Sequence, residues 1–312
     1  MKRTKTIKRR SFLRQATFAS AAFTSFNGLL TQEANAGIQN HQERENGPSD
    51  EDPVRVAVVQ QDGNPGEVET NLRKAIGFAE EALAQQADVI LFHEELLVGY
   101  DKNLRSLAEP VNGSSTMAFQ KLLKGTGSLI IYGLTEKDHN DYYISAPVVS
   151  EEGVIANYHK THLWWADEGL RHEPTYYTPG NKLVTFNVKG YLCGIMICYD
   201  GDFPEMTRSY ANLGCSMVFW MNNRGSRGHE EVTDLANRNS MIMPVSCCCG
   251  ENERGDPCRG GSNITGPKGE LVAEIWDREG VILGDVYPGK VGQIRKNNPW
   301  FRGLRPDLYY YQ

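Results

Sequence analysis

Three apolar runs in this sequence end in side chains that could do chemistry. Leu192-Cys193-Gly194-Ile195-Met196-Ile197 runs into Cys198, followed at once by Tyr199-Asp200-Gly201-Asp202-Phe203-Pro204-Glu205 and then Arg208. A short apolar stretch that stops at polar residues and glycine reads as a buried strand ending at a sheet edge, where layered folds gather functional side chains. A thiol there is placed as a nucleophile for attack on an electrophilic carbon, although a cysteine taken alone is more often a small buried hydrophobe. Upstream, Asp88-Val89-Ile90-Leu91-Phe92-His93 ends at Glu94-Glu95 with Gly99-Tyr100 just beyond. Gly153-Val154-Ile155-Ala156-Asn157-Tyr158-His159 ends at Lys160, followed by Thr161-His162-Leu163. Taken singly, these charges read as solvated strand ends.

Taken together, the three segments resemble the carbon-nitrogen hydrolase family, or nitrilase superfamily, whose catalytic triad is Glu, Lys and Cys in that chain order. Phe92-His93-Glu94 with Gly99-Tyr100 resembles the acid motif, Tyr158-His159-Lys160-Thr161-His162-Leu163 the lysine motif, and Ile197 to Arg208 the cysteine motif. Tyr132-Gly133-Leu134-Thr135-Glu136, the Gly153 turn, Glu173 ahead of Tyr177-Thr178-Pro179-Gly180, and Gly260-Gly261-Ser262 with Gly266-Pro267-Lys268-Gly269 carry the likeness from about Pro53 to the C-terminus. Two positions depart from it: His93 stands where the family usually has Pro, and Tyr143-Ile144 where an Asn is common. The resemblance implies an α/β fold of αββα type, two packed β-sheets flanked by helices, in homodimers or higher homo-oligomers and without a cofactor.

It also implies roles. Cys198 is the nucleophile, Glu94 the base that takes its proton and returns it to the leaving nitrogen, and Lys160 a cation that stabilises the tetrahedral intermediate together with the backbone N–H of Tyr199. Glu173 assists as second acid; Glu168 is its competitor. Neighbours on a strand face opposite ways, so only one of Glu94 and Glu95 can enter the site, and the offset to Gly99-Tyr100 selects Glu94. Trp164-Trp165 and Tyr176-Tyr177 either line a pocket or pack on the sheet. Tyr100, Trp164, Tyr199 and Asp202 are candidate substrate contacts. Asp202 either faces the entering substrate and repels anions or caps the helix that Pro204 opens.

The elements that must position these residues are legible in the periodicity. Val54 to Gln60 reads as a strand, Asn71 to Gln86 as a helix and the run to Glu94 as a strand, which makes a β-α-β unit. Helices are expected over Ser115 to Leu123, Pro204 to Asn212 and Glu230 to Met241, and strands over Leu129 to Leu134, Pro147 to Val149 and Ser216 to Met221.

The N-terminus reads differently from the rest. Lys8-Arg9-Arg10-Ser11-Phe12-Leu13-Arg14 is a twin-arginine pattern, Ala16 to Leu30 is rich in Ala, Ser, Thr and Phe, and Ala34-Asn35-Ala36 is a small-x-small cleavage site. Residues 1–36 are therefore expected to be a signal peptide, 37–52 a flexible leader with Gly47-Pro48, and 53–312 the hydrolase domain, exported to the periplasm or outside the cell. The first 36 residues hold seven Lys/Arg and one Glu, which leaves 26 basic and 38 acidic residues, a formal net charge of −12. Such a chain is a poor partner for nucleic acid or an anionic membrane, and no stable membrane anchor is expected. The seven cysteines, at 193, 198, 215, 247, 248, 249 and 258, are odd in number and lack C-x-x-C spacing, so neither a disulfide framework nor a structural metal site is expected.

The function read from these residues is hydrolysis of a linear, non-peptide amide or carbamoyl C–N bond in a small-molecule substrate. Cys198-Tyr199-Asp200, in place of the Cys-Trp-Glu common in nitrilases, ranks nitrile hydrolysis second, and a non-hydrolytic acyl-binding or acyl-transfer protein is the alternative of a different class.

Overall fold

The computed structural model describes residues 49–224 and 228–305. The expected signal peptide and residues 37–48 lie outside the described residues. Ser49–Asp52, assigned to the leader by their polarity, form a turn in which Asp52 N–H donates to Ser49 O at 2.9 Å, and Tyr191 Oη donates to the same carbonyl at 2.9 Å.

The valine-rich β1 (Val54–Gln60) leads through α1 (Val68–Ala84) to β2 (Val89–Leu91). The first helix starts ahead of the expected Asn71. Asn71 is buried inside the helix, and its amide donates to Asn64 O and Leu97 O at 3.0 and 2.9 Å. A short helix α2 (Leu104–Leu107) and α3 (Ser114–Leu122) precede β3 (Leu129–Ile131), β4 (Leu134–Asp138), β5 (Asp141–Ser150) and β6 (Gly153–His159). The single strand expected over Leu129 to Leu134 is thus broken at Tyr132-Gly133. A Cβ on Gly133 would lie 2.3 Å from Glu95 N and 2.4 Å from His93 O, so the break is where the Glu94 segment packs against bare backbone. The strand expected over Pro147 to Val149 is the middle of the ten-residue β5, whose half-exposed Asp141-Tyr142-Tyr143 start carries no apolar signal.

The second half contains β7 (Thr185–Val188), β8 (Tyr191–Ile197), α4 (Pro204–Asn212), β9 (Met217–Asn222), α5 (His229–Asn239), β10 (Met243–Cys247), β11 (Cys249–Glu251), β12 (Pro257–Thr265), β13 (Leu271–Trp276) and β14 (Gly280–Val286). Two short helices, α6 (Val291–Asn297) and α7 (Pro299–Arg302), follow. The first sheet runs β14-β1-β2-β3-β5-β4 with β6 on β5, and the second β11-β12-β10-β9-β8-β7 with β13 on β12. β1, β2 and β3 are parallel, as are β8, β9 and β10.

The sheets pack face to face over one apolar core, in which Val56, Val58, Leu91 and Val148 of the first meet Ile195, Ile197, Phe219 and Val245 of the second. Ala75 and Ala79 of α1 and Phe119 of α3 cover the outer face of the first sheet. Val232 and Ala236 of α5 and Tyr210 of α4 pack with the second. The architecture is the αββα sandwich: strands buried on both faces read as continuous apolar runs, and the helices cover what each sheet still exposes.

Candidate active site

Glu94, Lys160 and Cys198 each lie within three residues of the end of a strand, and Cys198 lines a cavity of about 280 Å³ together with Tyr100, Trp164, Glu173 and Asp202. Cys198 comes directly after β8 and opens a 3₁₀ turn, Cys198–Asp202. Its φ is +47°, a left-handed conformation that a side chain rarely adopts, so the chain turns sharply at the thiol. The turn is anchored from both sheets. Asp200, fully buried, accepts from Ile197 N–H, Tyr158 Oη, Thr161 Oγ1 and His162 N–H at 2.7–2.9 Å, which ties it to the chain on either side of Lys160. Trp220 Nε1 donates to Cys198 O at 3.1 Å, and Gly201 lies so close to that indole that a Cβ would stand 2.0 Å from it.

Lys160, directly after β6, is fully buried with Nζ 2.7 Å from Glu94 Oε1 and 2.7 Å from Glu173 Oε1. Burial alone would lower its pKa, but Glu173 and Glu94, with Cys198, hold it above the ordinary lysine value, so the ammonium stays charged. Tyr100 Oη lies 2.6 Å from Glu173 Oε1 and 3.1 Å from Glu94 Oε1. Glu94 Oε2 accepts from Asn223 N–H at 2.8 Å, and Glu173 Oε2 from Trp164 N–H at 2.6 Å. Burial raises the pKa of Glu173 against the pull of Lys160. The Cys198 thiol is pushed up to about 11 by burial and by Glu94, with Lys160 and Arg224 pulling the other way.

Glu94, which the Gly99-Tyr100 offset selected, is the glutamate of the pair that meets Lys160, but strand alternation is not what separates it from Glu95. Strand β2 ends at Leu91, so alternation does not decide between the two glutamates; both are fully buried. Glu95 has φ +53° and turns away to accept a hydrogen bond from Thr135 Oγ1, and burial pushes its carboxyl up to about 8. Glu168 is exposed, which leaves Glu173 as the second acid. His93, in the family's proline position, is fully buried with Nδ1 2.8 Å from the Glu94 carbonyl, and burial lowers its pKa to about 4. A neutral imidazole there donates from Nδ1 to that carbonyl.

Of the substrate-contact candidates, Tyr100, Trp164 and Asp202 line the cavity. The Tyr199 ring instead packs edge-on against Trp164 and Phe203, with centroids 4.8 and 5.1 Å apart, so its side chain supports the wall. The other rings divide: Trp165 is 68% exposed, Tyr177 is buried in the core and Tyr176 packs against it. Asp202 does not act as either alternative supposed. Arg224 grips it with Nη1 and Nη2 at 3.1 and 2.9 Å, so it presents no free negative charge, and the helix that Pro204 opens has Phe203 at its N-cap with no side-chain cap bond.

Sequence reasoning missed Asn223, Arg224 and Arg171. Arg171 makes a paired contact with Glu253 at 2.7 and 2.9 Å, donates to Asn223 O at 2.8 Å and lies 4.5 Å over the Tyr100 ring. The available signal was Met217-Val218-Phe219-Trp220-Met221-Asn222-Asn223-Arg224, a fourth apolar run ending in polar side chains. Cys247, Cys248 and Cys249 are all buried free thiols; Cys248 Sγ lies 3.5 Å from Asn223 Oδ1. Among the described residues no cluster of His, Cys, Asp and Glu could hold a metal ion, and no helix is long and apolar enough to cross a membrane.

The αββα sandwich, with a buried thiol and an acid–lysine–acid cluster at its strand ends, has the makings of a layered α/β hydrolase. The carbon-nitrogen hydrolase family model matches residues 55–296, and the chain belongs to that family. It is 28% identical to a 2-oxoglutaramate amidase of Bacillus subtilis over 81% of this chain and 98% of the relative, and 27% identical to a human omega-amidase over 77% and 91%. An (R)-stereoselective amidase of a Pseudomonas species is 26% identical over 71% of this chain and 80% of its own. Among solved structures, the fold resembles that of a Nesterenkonia amidase (TM-score 0.69, 20% identity, 82% and 95% of the two chains). It also resembles a carbon-nitrogen hydrolase superfamily protein of Xanthomonas campestris (TM-score 0.73, 18% identity, 81% and 98%).

Proposed function

We propose that this carbon-nitrogen hydrolase cleaves a linear, non-peptide amide or carbamoyl C–N bond of a small molecule through a thioester on Cys198. The observation that carries the reading is the Lys160 ammonium wedged at 2.7 Å between Glu94 and Glu173, the second of which lines the same cavity as Cys198. Amidases among the relatives support the amide over the nitrile.

In this mechanism Glu94 takes the Cys198 proton as Sγ bonds to the substrate carbonyl carbon. Negative charge moves to the carbonyl oxygen, where Lys160 and the Tyr199 N–H stabilise it; one such preorganised donor is worth about 3 kcal/mol. The C–N bond breaks as Glu94 returns the proton to the leaving nitrogen, which departs as ammonia or an amine. Water then attacks the thioester, giving its proton to Glu94 with Glu173 close by. The C–S bond breaks, the acid leaves and the thiol is restored. Tyr100 and Arg171 hold the two carboxylates and the Asn223 segment in place.

Cys198→Ala is expected to lower kcat/KM by at least about 10⁴-fold with the fold intact, because a small strand-end side chain is lost together with the covalent route. Mass spectrometry of the native enzyme during turnover is expected to show an acyl adduct on Cys198. Undiminished amide hydrolysis by the alanine variant overturns the reading, and turnover of nitriles alone redirects it to nitrilase chemistry.

The reading extends to location and assembly. The ordered basic, apolar and small-residue regions of residues 1–36 support export by the twin-arginine route to the periplasm or beyond, with 53–312 as the hydrolase domain. Homo-oligomer formation is supported by family resemblance.

A further inference from the structure

Arg224 stands two residues past the end of β9, next to Asn223, whose N–H holds Glu94. Its guanidinium meets both ends of the Cys198–Asp202 turn at once: Nη1 and Nη2 take the two Asp202 oxygens at 3.1 and 2.9 Å, and Nε lies 3.2 Å from Cys198 Sγ. A carboxylate gripped by two parallel N–H bonds fixes the plane of the guanidinium, and that plane aims the remaining Nε–H at the sulfur.

Charge accounting shows why the sulfur needs this contact. The charged and titratable groups around it are Glu94, Lys160 and Glu173 with Tyr100 beside them, Cys247 of β10, and Arg224, which in turn feels the carboxylates of Asp202 on the turn and Glu231 on α5. Lys160 is shared between two carboxylates, so the cluster opposite the thiol carries a net charge of about −1 when both are ionised and favours the neutral thiol. Arg224 is the cation in direct hydrogen-bond contact with Sγ, and the Asp202 charge sits on the far side of the guanidinium.

We infer that Arg224 is a further catalytic residue, whose Nε–H holds the Cys198 sulfur while it is anionic, with Asp202 as the positioning residue for that guanidinium. The inference rests on Cys198 being the nucleophile proposed above. Two moments use the contact. When Glu94 removes the proton, the electron pair left on Sγ is held by Nε–H until it bonds to carbon. When the thioester breaks, the pair returns to Sγ and is held there until Glu94 returns the proton.

The first reading needs no substrate. The enzyme is alkylated with iodoacetamide at several fixed pH values between about 7 and 10, below the Cys198 midpoint, and the rate at the Cys198 peptide is followed by mass spectrometry. In that range the rate is proportional to the thiolate fraction, so Arg224→Met is expected to slow Cys198 alkylation at each pH at least about 10-fold and, with an amide substrate, to lower kcat at least about 10-fold with a smaller change in KM. Arg224→Lys, which keeps the charge but cannot hold Asp202 and the sulfur in one plane, is expected to fall between. A residue that merely pins the turn would change thermal stability and leave the alkylation rate where it is. A wild-type alkylation rate in Arg224→Met overturns the inference; if that variant does not fold, a wild-type rate in Arg224→Lys does the same. Failure of the hydrolase reading is distinct, since it appears as activity surviving in Cys198→Ala.

Discussion

Four ionisable side chains share a few ångströms of dry interior here, and their protonation states are set by who touches whom. Lys160 is held charged by two carboxylates, whereas Glu95, one residue from Glu94, faces away from that cation toward a threonine hydroxyl. Burial raises Glu95 from 4.5 to about 8, and its Oε1 has no hydrogen-bond partner. The folded protein therefore keeps a proton on Glu95 that the unfolded chain releases near pH 4.5, and this group subtracts stability progressively as pH rises from about 4.5 to about 8. Glu95→Gln mimics the protonated acid. It is expected to leave Tm nearly unchanged at pH 5 and to raise it by several degrees at pH 9, at roughly 2–4 °C per kcal/mol. Equal shifts at both pH values in thermal unfolding would show that Glu95 is ionised throughout.

At the scale of elements, the strand-to-turn junction at Cys198 is the part under strain, and its neighbours oblige it to stay. A positive φ at a non-glycine residue costs about 1–3 kcal/mol and persists only where the surroundings fix it. Asp200 bonds the turn to the Lys160 segment, and Trp220 bonds the Cys198 carbonyl while lying flush on Gly201. Gly201→Ala forces a methyl against a fully buried indole that cannot withdraw. Overpacking of this kind costs about 1–3 kcal/mol, an expected fall in Tm of about 3–10 °C. Because the displaced element carries Cys198, the proposed nucleophile, kcat is expected to fall more than about 100-fold, the scale of loss that a misplacement of about 1 Å produces. Activity retained at wild-type level in a folded Gly201→Ala protein would show that the turn position is not fixed by this contact.

For the whole molecule, the site exists only where the two sheets end together. Glu94 and Lys160 come from strand ends of the first sheet and Cys198, Asn223 and Arg224 from those of the second, so loss of packing between the sheets separates the acid from the thiol. The whole chain also carries a charge contrast between the basic residues 1–36 and the acidic remainder. If the twin arginines are a receptor-read address, Arg9→Lys combined with Arg10→Lys is expected to abolish the exported fraction, and terminal sequencing of exported protein to begin at Gly37. An exported fraction unchanged by the double substitution would assign export to another route.

By itself the sequence determined the family, the order of the Glu, Lys and Cys segments, the helix Pro204–Asn212 and the packed-sheet class. These are carried by short contiguous stretches: an apolar run and the residue that ends it lie side by side in the chain, so their meaning is local. The tertiary structure alone decided the rest. It turned Glu95 away to a threonine through a turn that Gly133 accommodates, where strand alternation had been expected to separate it from Glu94, and it paired Asp202 with an arginine 22 residues away. It also brought Asn223, Arg171 and Arg224 to the site, because a side chain's charge, burial and reach depend on which distant strand ends beside it, and periodicity along one strand does not record that.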